Sequence, residues 1–94
     1  MILSIYCYRD KKLGAYTVLF VNNIPKDRAA VTIARAVSDL DDSKKSKMAD
    51  LDLYYIGSFD DKVGVITSSV PEFLLALDSV CYSAKSEEVI KDDQ

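Results

Sequence analysis

The sequence predicts an α+β fold in which two β-hairpins form an antiparallel sheet (β-β-α-β-β), a helix covers this sheet, and a second helix follows at the C-terminus. One motif, Asp-x-Lys-aliphatic-Gly, occurs at residues 10–14 and again at 60–64. Its aspartate can accept hydrogen bonds from loop N–H groups, and its glycine can adopt a positive φ without a Cβ clash. Apolar, β-branched and aromatic residues flank both copies, and a helical pattern lies between them. Each copy therefore predicts a hairpin with a four-residue loop.

The strands of the first hairpin show which residues share a face. One face of the first strand carries Leu3, Ile5 and Cys7, and the other carries Ser4, Tyr6 and Tyr8. In the return strand, the expected faces are Tyr16, Val18 and Phe20 against Thr17, Leu19 and Val21. Both of these faces are apolar. Such a strand is either central in a sheet that is covered on both sides, or it lies at a protein interface.

A helix is predicted from residue 24 to residue 40. Asn22 is its expected N-cap, and Pro25 fits the first turn. Helical spacing places five apolar side chains on the stripe that faces the sheet: Ala30, Ile33, Ala34, Val37 and Leu40. Residues 41–47 are polar and of mixed charge, so we expect a loop there.

The second half of the chain predicts another hairpin and the C-terminal helix. Leu51, Leu53 and Tyr55 alternate with polar and aromatic residues, and Gly57 indicates a bulge or a close backbone approach. A short fourth strand is expected at residues 63–67. Ser69 and Glu72 fit a capping box before a helix over residues 73–82, with an extended edge segment as the competing interpretation. We expect one domain over residues 1–82 and a flexible acidic tail over residues 83–94.

Composition favours a nonenzymatic protein of the cytoplasm. The chain has no histidine, no phosphate-binding glycine loop and no Cys-x-x-Cys motif, so neither a cofactor nor a metal is expected. The acidic pairs at residues 41–42, 60–61 and 92–93 are expected to be solvated. Cys7 and Cys81 are far apart in sequence and are expected to stay reduced. There is no run of bilayer length and no basic leader, so we expect no membrane partner.

Charge is distributed unevenly along the chain. Through Val37, six basic residues oppose two acids, giving +4; from Ser38 onward, six lysines oppose thirteen acids, giving −7. The first half could therefore contact nucleic-acid phosphates, or it could meet the acidic half of another copy. The candidate nucleic-acid-binding cations are Arg9, Lys11, Lys12, Arg28 and Arg35.

Tyr6 and Tyr8 add a possible stacking surface beside these cations. If their rings are exposed, they could stack on single-stranded bases, at about 1–3 kcal/mol per base. The alternative is that the rings pack under a helix or between subunits.

A homodimer is expected because the apolar surface exceeds what one helix can cover. The candidate interface combines the return strand with the predicted C-terminal helix. Its residues are Tyr16, Val18, Phe20, Phe73, Leu74 and Leu77.

The run from Asp50 to Gly64, with Tyr6, Tyr8, Asp10 and Gly14, resembles the small nonstructural protein of gokushoviruses, single-stranded DNA phages of the microvirus group. The resemblance spans about residues 3 to 77, and its most specific part is the Asp-Leu-Tyr-Tyr-x-Gly-x-Phe-Asp block. It implies a protein made in the bacterial cytoplasm, absent from the mature particle, with a role in DNA synthesis or packaging. It implies no catalytic residues. An arginine that the family often has near the middle of the helix is Thr32 here.

The leading hypothesis is thus a phage accessory protein that acts in viral DNA replication or packaging, by binding single-stranded DNA or phage replication proteins. A protein-interaction adaptor that modulates a host or phage enzyme is the main alternative. A small nuclease that uses the acidic pairs would require a divalent metal.

Overall fold

The computed structural model describes residues 1–81 and confirms the α+β fold, with one four-stranded antiparallel sheet and helices. The strands are β1 (Ile2–Asp10), β2 (Ala15–Asn22), β3 (Leu51–Asp60) and β4 (Val65–Ala76). The helices are α1 (Lys26–Ser38) and α2 (Asp42–Met48), and residues 77–81 are also helical. The strand order is β2-β1-β3-β4, so β2 and β4 are the sheet edges. The expected tail over residues 83–94 lies outside the described residues.

Both predicted hairpin loops are confirmed. In the first loop, the carboxylate of Asp10 accepts hydrogen bonds from the N–H groups of Lys12 (2.9 Å) and Leu13 (3.1 Å). The N–H of Gly14 donates to the carbonyl of Asp10 at 2.8 Å, and Gly14 has φ +66°. Local chemistry alone is enough to specify this turn.

The second loop repeats this geometry. The N–H of Lys62 donates to the carboxylate of Asp60 at 3.0 Å, and the N–H of Gly64 donates to the Asp60 carbonyl at 2.8 Å. Since β1 is antiparallel to both neighbours, the two loops lie at opposite ends of the sheet. The molecule is accordingly elongated, with extents of 57 × 27 × 20 Å.

The segment expected to be a loop, residues 41–47, lies mostly in helix α2 (Asp42–Met48). The carboxylate of Asp41 caps α2 by accepting a hydrogen bond from the N–H of Lys44 at 2.9 Å. Lys45 and Lys47 lie in the last turn, where cations interact favourably with the helix dipole. A cap and a favourable charge order thus form a short helix in a segment with little apolar character.

Two predicted helix starts are also corrected. The N-cap of α1 is Pro25, while the carboxamide of Asn22 accepts a hydrogen bond from the N–H of Ile24 at 3.0 Å in a turn before the helix. Ser69 and Glu72 form no capping box, because β4 remains extended through Ala76 and the last helix begins at residue 77. The extended alternative therefore holds up to Ala76. Pairing with β3 outweighs the local capping signal there.

The helices in residues 1–81 all pack on one side of the sheet. One buried cluster joins Tyr6, Ala29 and Leu53, and a second joins Val37, Ala49, Leu77 and Cys81. Tyr6, Leu53 and Leu77 are the largest side chains with almost no exposure. We call this side the helix face and the opposite side the open face.

Register shifts in all three strand pairings change the predicted alternation of side chains. In β2, a bulge lies at Val18, which has φ +32°, so Thr17 pairs with Tyr8 and Leu19 pairs with Cys7. A bulge adds one residue and moves the following side chains to the other face. As a result, Tyr16 and Leu19 both lie on the open face, whereas Phe20 packs on the helix face against Tyr6 and Tyr8. The predicted face shared by Tyr16, Val18 and Phe20 is therefore wrong.

A register shift at Ile56 divides the β3–β4 pairing into two parts. This confirms the irregularity that the sequence predicts at Gly57. A Cβ at Gly57 would collide with the carbonyl oxygen of Thr67. A further shift, between Leu53 and Tyr54, brings Tyr54 opposite Phe73. Glycine thus permits the close approach of β4 at one position, and the shifts set which rings reach the open face.

Replacing Gly64 tests whether the loop backbone, and not side-chain packing, explains the repeated motif. Gly64 has φ +73°, and an added Cβ would meet no atom within 4 Å. Gly64→Val should lower the free energy of unfolding by more than about 1 kcal/mol, because β-branched residues disfavour positive φ. Gly64→Asn is the control and should cost less, since asparagine tolerates this conformation. Equal urea midpoints for both variants and the parent would contradict the proposed loop.

Candidate functional site

The open face carries apolar and aromatic side chains from all four strands. None of the helical segments in residues 1–81 packs on it. Its residues, by strand, are Ile5, Cys7 and Arg9; Tyr16, Val18, Leu19 and Val21; Asp52 and Tyr54; and Ile66, Ser68 and Phe73. The helices of residues 1–81 leave this face uncovered, although Ile5, Cys7 and Asp52 are themselves buried on it.

Three aromatic rings cross the open face as a row. The centroids of Tyr16 and Tyr54 are 5.3 Å apart at an interplanar angle of 81°, and those of Tyr54 and Phe73 are 5.8 Å apart, also at 81°. Such edge-to-face contacts are favourable for aromatic pairs. Tyr16 is 51% exposed and Phe73 is 53% exposed, so both outer rings remain available to a partner. We call Tyr16, Tyr54 and Phe73 the aromatic row.

Arg9 adds a cation at one end of this row. Its guanidinium carbon lies 5.9 Å from the centroid of the Tyr16 ring, within the range of a cation–π contact. Arg9 also pairs with Tyr16 and Asp52 across the strands. The open face therefore combines a cation with a partly exposed ring, which is the chemistry of a stacking site.

A groove of about 480 Å³ adjoins the row. Cys7 lines it together with residues from β2, the Ile56 bulge and the middle of β4. Cys7 is buried, and burial raises the pKa of its thiol, which keeps the thiol protonated. Neutral, mostly apolar walls fit a base or an apolar side chain better than an anion.

Tyr6 and Tyr8 do not form the expected stacking surface. Tyr6 is 1% exposed, lies in the helix-face core and donates a hydrogen bond from its hydroxyl to the carbonyl of Ile24. Tyr8 is half-buried, and its ring centroid is 5.5 Å from that of Phe20. Burial raises the pKa of both phenols. The alternative considered for these rings, packing under a helix, is the correct one, and no base can reach Tyr6.

Lys11 and Lys12 are engaged in ion pairs within the chain. The Lys11 ammonium lies 3.1 Å from Asp78 and 3.7 Å from Asp52, and that of Lys12 lies 3.1 Å from Asp50. The hydrogen bond to Asp78 is the main cause that raises the pKa of Lys11. The acidic second half of the sequence thus neutralises part of the basic first half within one molecule.

Arg28 and Arg35 lie on the outer face of α1, where both are exposed. They line a shallow surface with Asp27 and Asp39. The sheet separates α1 from the open face, so the predicted cations do not form one continuous surface. Arg9 therefore lies on the opposite side of the sheet from both helix arginines.

The expected dimer residues are also divided. Tyr16, Val18 and Phe73 are exposed on the open face. Phe20 and Leu74 are half-buried against the core, and Leu77 is 0% exposed within its own chain. These three residues thus pack in the core of their own chain. The Val18 bulge turns Phe20 to the helix face, Leu74 packs on the Tyr6 cluster from β4, and Leu77 begins the buried helix that follows β4.

The acidic pairs have structural roles where they are described. Asp41 caps α2, Asp60 holds the second hairpin loop, and Asp61 lies 2.7 Å from the N-terminal ammonium. Within residues 1–81, no three metal-type side chains lie close enough to hold an ion, and no helix is long and apolar enough to span a membrane. The pair at residues 92–93 lies outside the described residues.

Comparison with known proteins identifies a family. The model of the family described as Phage ORF5 protein matches residues 3–80, most of the chain. The chain belongs to the Phage ORF5 protein family. It is therefore a phage protein, although this family description specifies no activity. No curated protein and no solved structure matches the chain.

Tyr54 is the one ring of the aromatic row that the sequence-based sites did not include. Tyr54 and Tyr55 are adjacent in one strand, so their rings must point to opposite faces. Tyr55 packs in the core cluster with Tyr6, and Tyr54 occupies the centre of the aromatic row. The consecutive tyrosines were thus a usable signal that each face would receive one ring.

Lys11 should stabilise the fold more than its neighbour Lys12. One carboxylate oxygen of Asp52 is buried without a hydrogen-bond partner, and Lys11 is the cation that lies 3.7 Å from it. Lys11→Met should cost about 1–3 kcal/mol in urea unfolding, because it leaves a nearly buried charge uncompensated. Lys12→Met is the matched control and should cost less than about 1 kcal/mol, since the Lys12 side chain is 76% exposed.

Adding Asp52→Asn to Lys11→Met should recover part of the loss, because it removes the uncompensated charge. Equal destabilisation by the two lysine substitutions, without recovery in the double variant, would contradict this role for Lys11.

Proposed function

We propose that this chain is a nonenzymatic accessory protein of a gokushovirus-type single-stranded DNA phage, acting in viral DNA replication or packaging in the cytoplasm of the host bacterium. Its open face binds single-stranded DNA. The aromatic row with Arg9 at one end is the observation that carries this proposal.

Rings on an open sheet are a recurring means of holding single strands. In one common RNA-binding fold, aromatic side chains on a four-stranded sheet stack two or three bases. Stacking depends little on sequence, because every base has a π face. An accessory protein that coats or guides a viral single strand needs this tolerance of sequence.

The charge on the open face predicts an unusual binding signature. In residues 1–81, Arg9 is the one basic side chain on the open face. Lys11 and Lys12 are paired with acids near one end of the sheet. For a single strand, each neutralised phosphate contributes a slope of about −0.7 to log K against log salt. One or two such contacts would give a shallow slope, so stacking supplies most of the affinity.

Only some of the residues predicted from the sequence belong to the proposed DNA-binding surface. Arg9 and Tyr16 stay in the site, with Tyr16 moved from the dimer interface to the DNA surface. Arg28 and Arg35 are left out because they lie beyond the sheet on the outer face of α1. The contact is thus assigned to the sheet and not to the helix.

A protein-interaction adaptor is the second candidate, and a specific observation favours it. The groove beside the row has apolar walls from Val18, Leu19 and Ile56, and several nearby lysines are already paired with acids. Apolar surface with little free charge is typical of the centre of a protein interface. Under this alternative, the row would hold side chains of a host or phage enzyme.

Titration of labelled single-stranded DNA at two salt concentrations tests the proposal. Tyr16→Ala and Phe73→Ala should each weaken binding about five- to 150-fold, which corresponds to about 1–3 kcal/mol per stacked base. The salt slope should stay nearly the same, because the phosphate contacts are retained. Fluorescence anisotropy provides the Kd, and circular dichroism confirms that each variant is folded.

The control is the double variant Arg28→Ala with Arg35→Ala, which should leave the Kd unchanged. If this variant weakens binding and the ring variants do not, the contact lies on α1 and the sheet assignment is wrong. No binding by the parent protein at low salt, where electrostatic contacts are strongest, would favour the adaptor instead.

A further inference from the structure

The second edge strand is unusually accessible. All residues from Asp61 to Phe73 are exposed, a stretch that covers the second loop and most of β4. In the other edge strand, β2, exposed residues alternate with half-buried ones and the Val18 bulge interrupts the pairing. The first part of β4 also lies beyond the core clusters, with Ile66 65% and Val70 86% exposed.

The first part of this edge, Val65–Ser68, lacks the usual protection against strand pairing. A sheet edge presents unpaired N–H and C=O groups, and proteins commonly guard it with charges. Residues 63–71 contain no charged side chain and include four β-branched valine or isoleucine residues. Val65–Ser68 pair with β3 without a register shift, so the edge is regular there. After Ser68 a register shift and Pro71, which has no N–H, end the regular edge. The unpaired N–H and C=O groups of such an edge can bind another β-strand.

We propose that a second copy of this chain pairs with the first along this edge, antiparallel and centred near Thr67, to give a continuous eight-stranded sheet. The proposal concerns β4 alone and does not depend on the open face binding DNA. It places the homodimer interface at residues that the sequence-based interface did not include.

Charge at the two ends of the stretch favours a second copy over an unrelated strand. Lys62 precedes the neutral residues 63–71 and Glu72 follows them. An antiparallel pair centred on Thr67 brings the hairpin loop that carries Lys62 of each copy toward Glu72 of the other. Glu72 already accepts a hydrogen bond from Lys26 at 3.0 Å, and a carboxylate can accept from a second cation.

The side chains opposite each other also fit. The same register pairs Ile66 with Ser68 on the open face, Val65 with Ser69 on the other side, and Thr67 with its symmetry mate. Cross-strand hydroxyl and β-branched pairs of this kind stabilise antiparallel sheets. The interface is isologous, so the pairing closes at two copies.

The symmetry has a consequence for the open face. A two-fold axis that makes neighbouring edge strands antiparallel runs perpendicular to the sheet, so both copies present their open faces on the same side. The two aromatic rows would then share one continuous surface. If the proposed function is correct, one single strand of DNA would bind across both copies.

Sedimentation of the full chain at micromolar concentration tests the pairing. The parent should sediment as a dimer of the 10.5 kDa chain. Ile66→Lys should raise the dimer Kd at least about ten-fold, because it places a charge on the paired edge. The matched control is Val31→Lys on the outer face of α1, where Val31 is 61% exposed, and it should leave the Kd unchanged. If Ile66→Lys does not fold, Val70→Lys replaces it.

A charge exchange tests orientation and partner. Lys62→Glu should weaken the dimer by placing two carboxylates together, and adding Glu72→Lys should restore it. A parent that stays monomeric overturns the proposal, as does a dimer that Ile66→Lys and Val70→Lys leave intact. A dimer that the double exchange fails to restore overturns the register centred on Thr67.

Discussion

The structure depends on burial against one side of a single sheet. Tyr6, Leu53 and Leu77 have almost no exposure, and all three lie between the sheet and the helices. Complete burial of an aliphatic or aromatic side chain is worth about 1.5–3 kcal/mol, so these contacts contribute much of the stability of so short a chain. The helices that make them cannot also cover the opposite side. The open face is thus a direct consequence of how this core is built.

Electrostatics reinforce this arrangement more than they create a binding surface. The sequence divides into a basic and an acidic part, but the fold brings them together: Lys11 meets Asp78, Lys12 meets Asp50 and Lys26 meets Glu72. Pairs this exposed add little to stability, apart from the additional contact of Lys11 with the nearly buried Asp52. Their larger effect is to remove lysines from the set of free cations, which shifts the proposed DNA contact from charge toward aromatic stacking.

Features encoded by a few neighbouring residues could be predicted from the sequence. Each hairpin loop follows from five consecutive residues that begin with an aspartate and end with a glycine, so both loops are predicted correctly. The apolar stripe of α1 is likewise local, although the fully buried alanine is Ala29 and not one of the predicted residues. The fold class follows from these elements.

What could not be predicted depends on contacts between distant residues. The Val18 bulge reverses the faces of β2, and nothing in the sequence around Val18 indicates it. Pairing with β3 keeps β4 extended through a segment that looks like a capped helix, and this buries Leu77. The candidate site differs from the predicted one for the same reason, because contacts between distant residues place Tyr6 in the core and Tyr54 on the open face.

The central claim is that the open face, and not the helix face, meets single-stranded DNA, and a fluorescent probe on each side tests it directly. The chain has no tryptophan, so Phe73→Trp introduces a single reporter into the aromatic row, and Val31→Trp introduces one on the outer face of α1. Adding unlabelled single-stranded DNA at low salt should quench the emission of Phe73→Trp saturably, because bases stack on the indole, and should leave Val31→Trp unchanged. Quenching confined to Val31→Trp, or no quenching of either protein, would contradict the account.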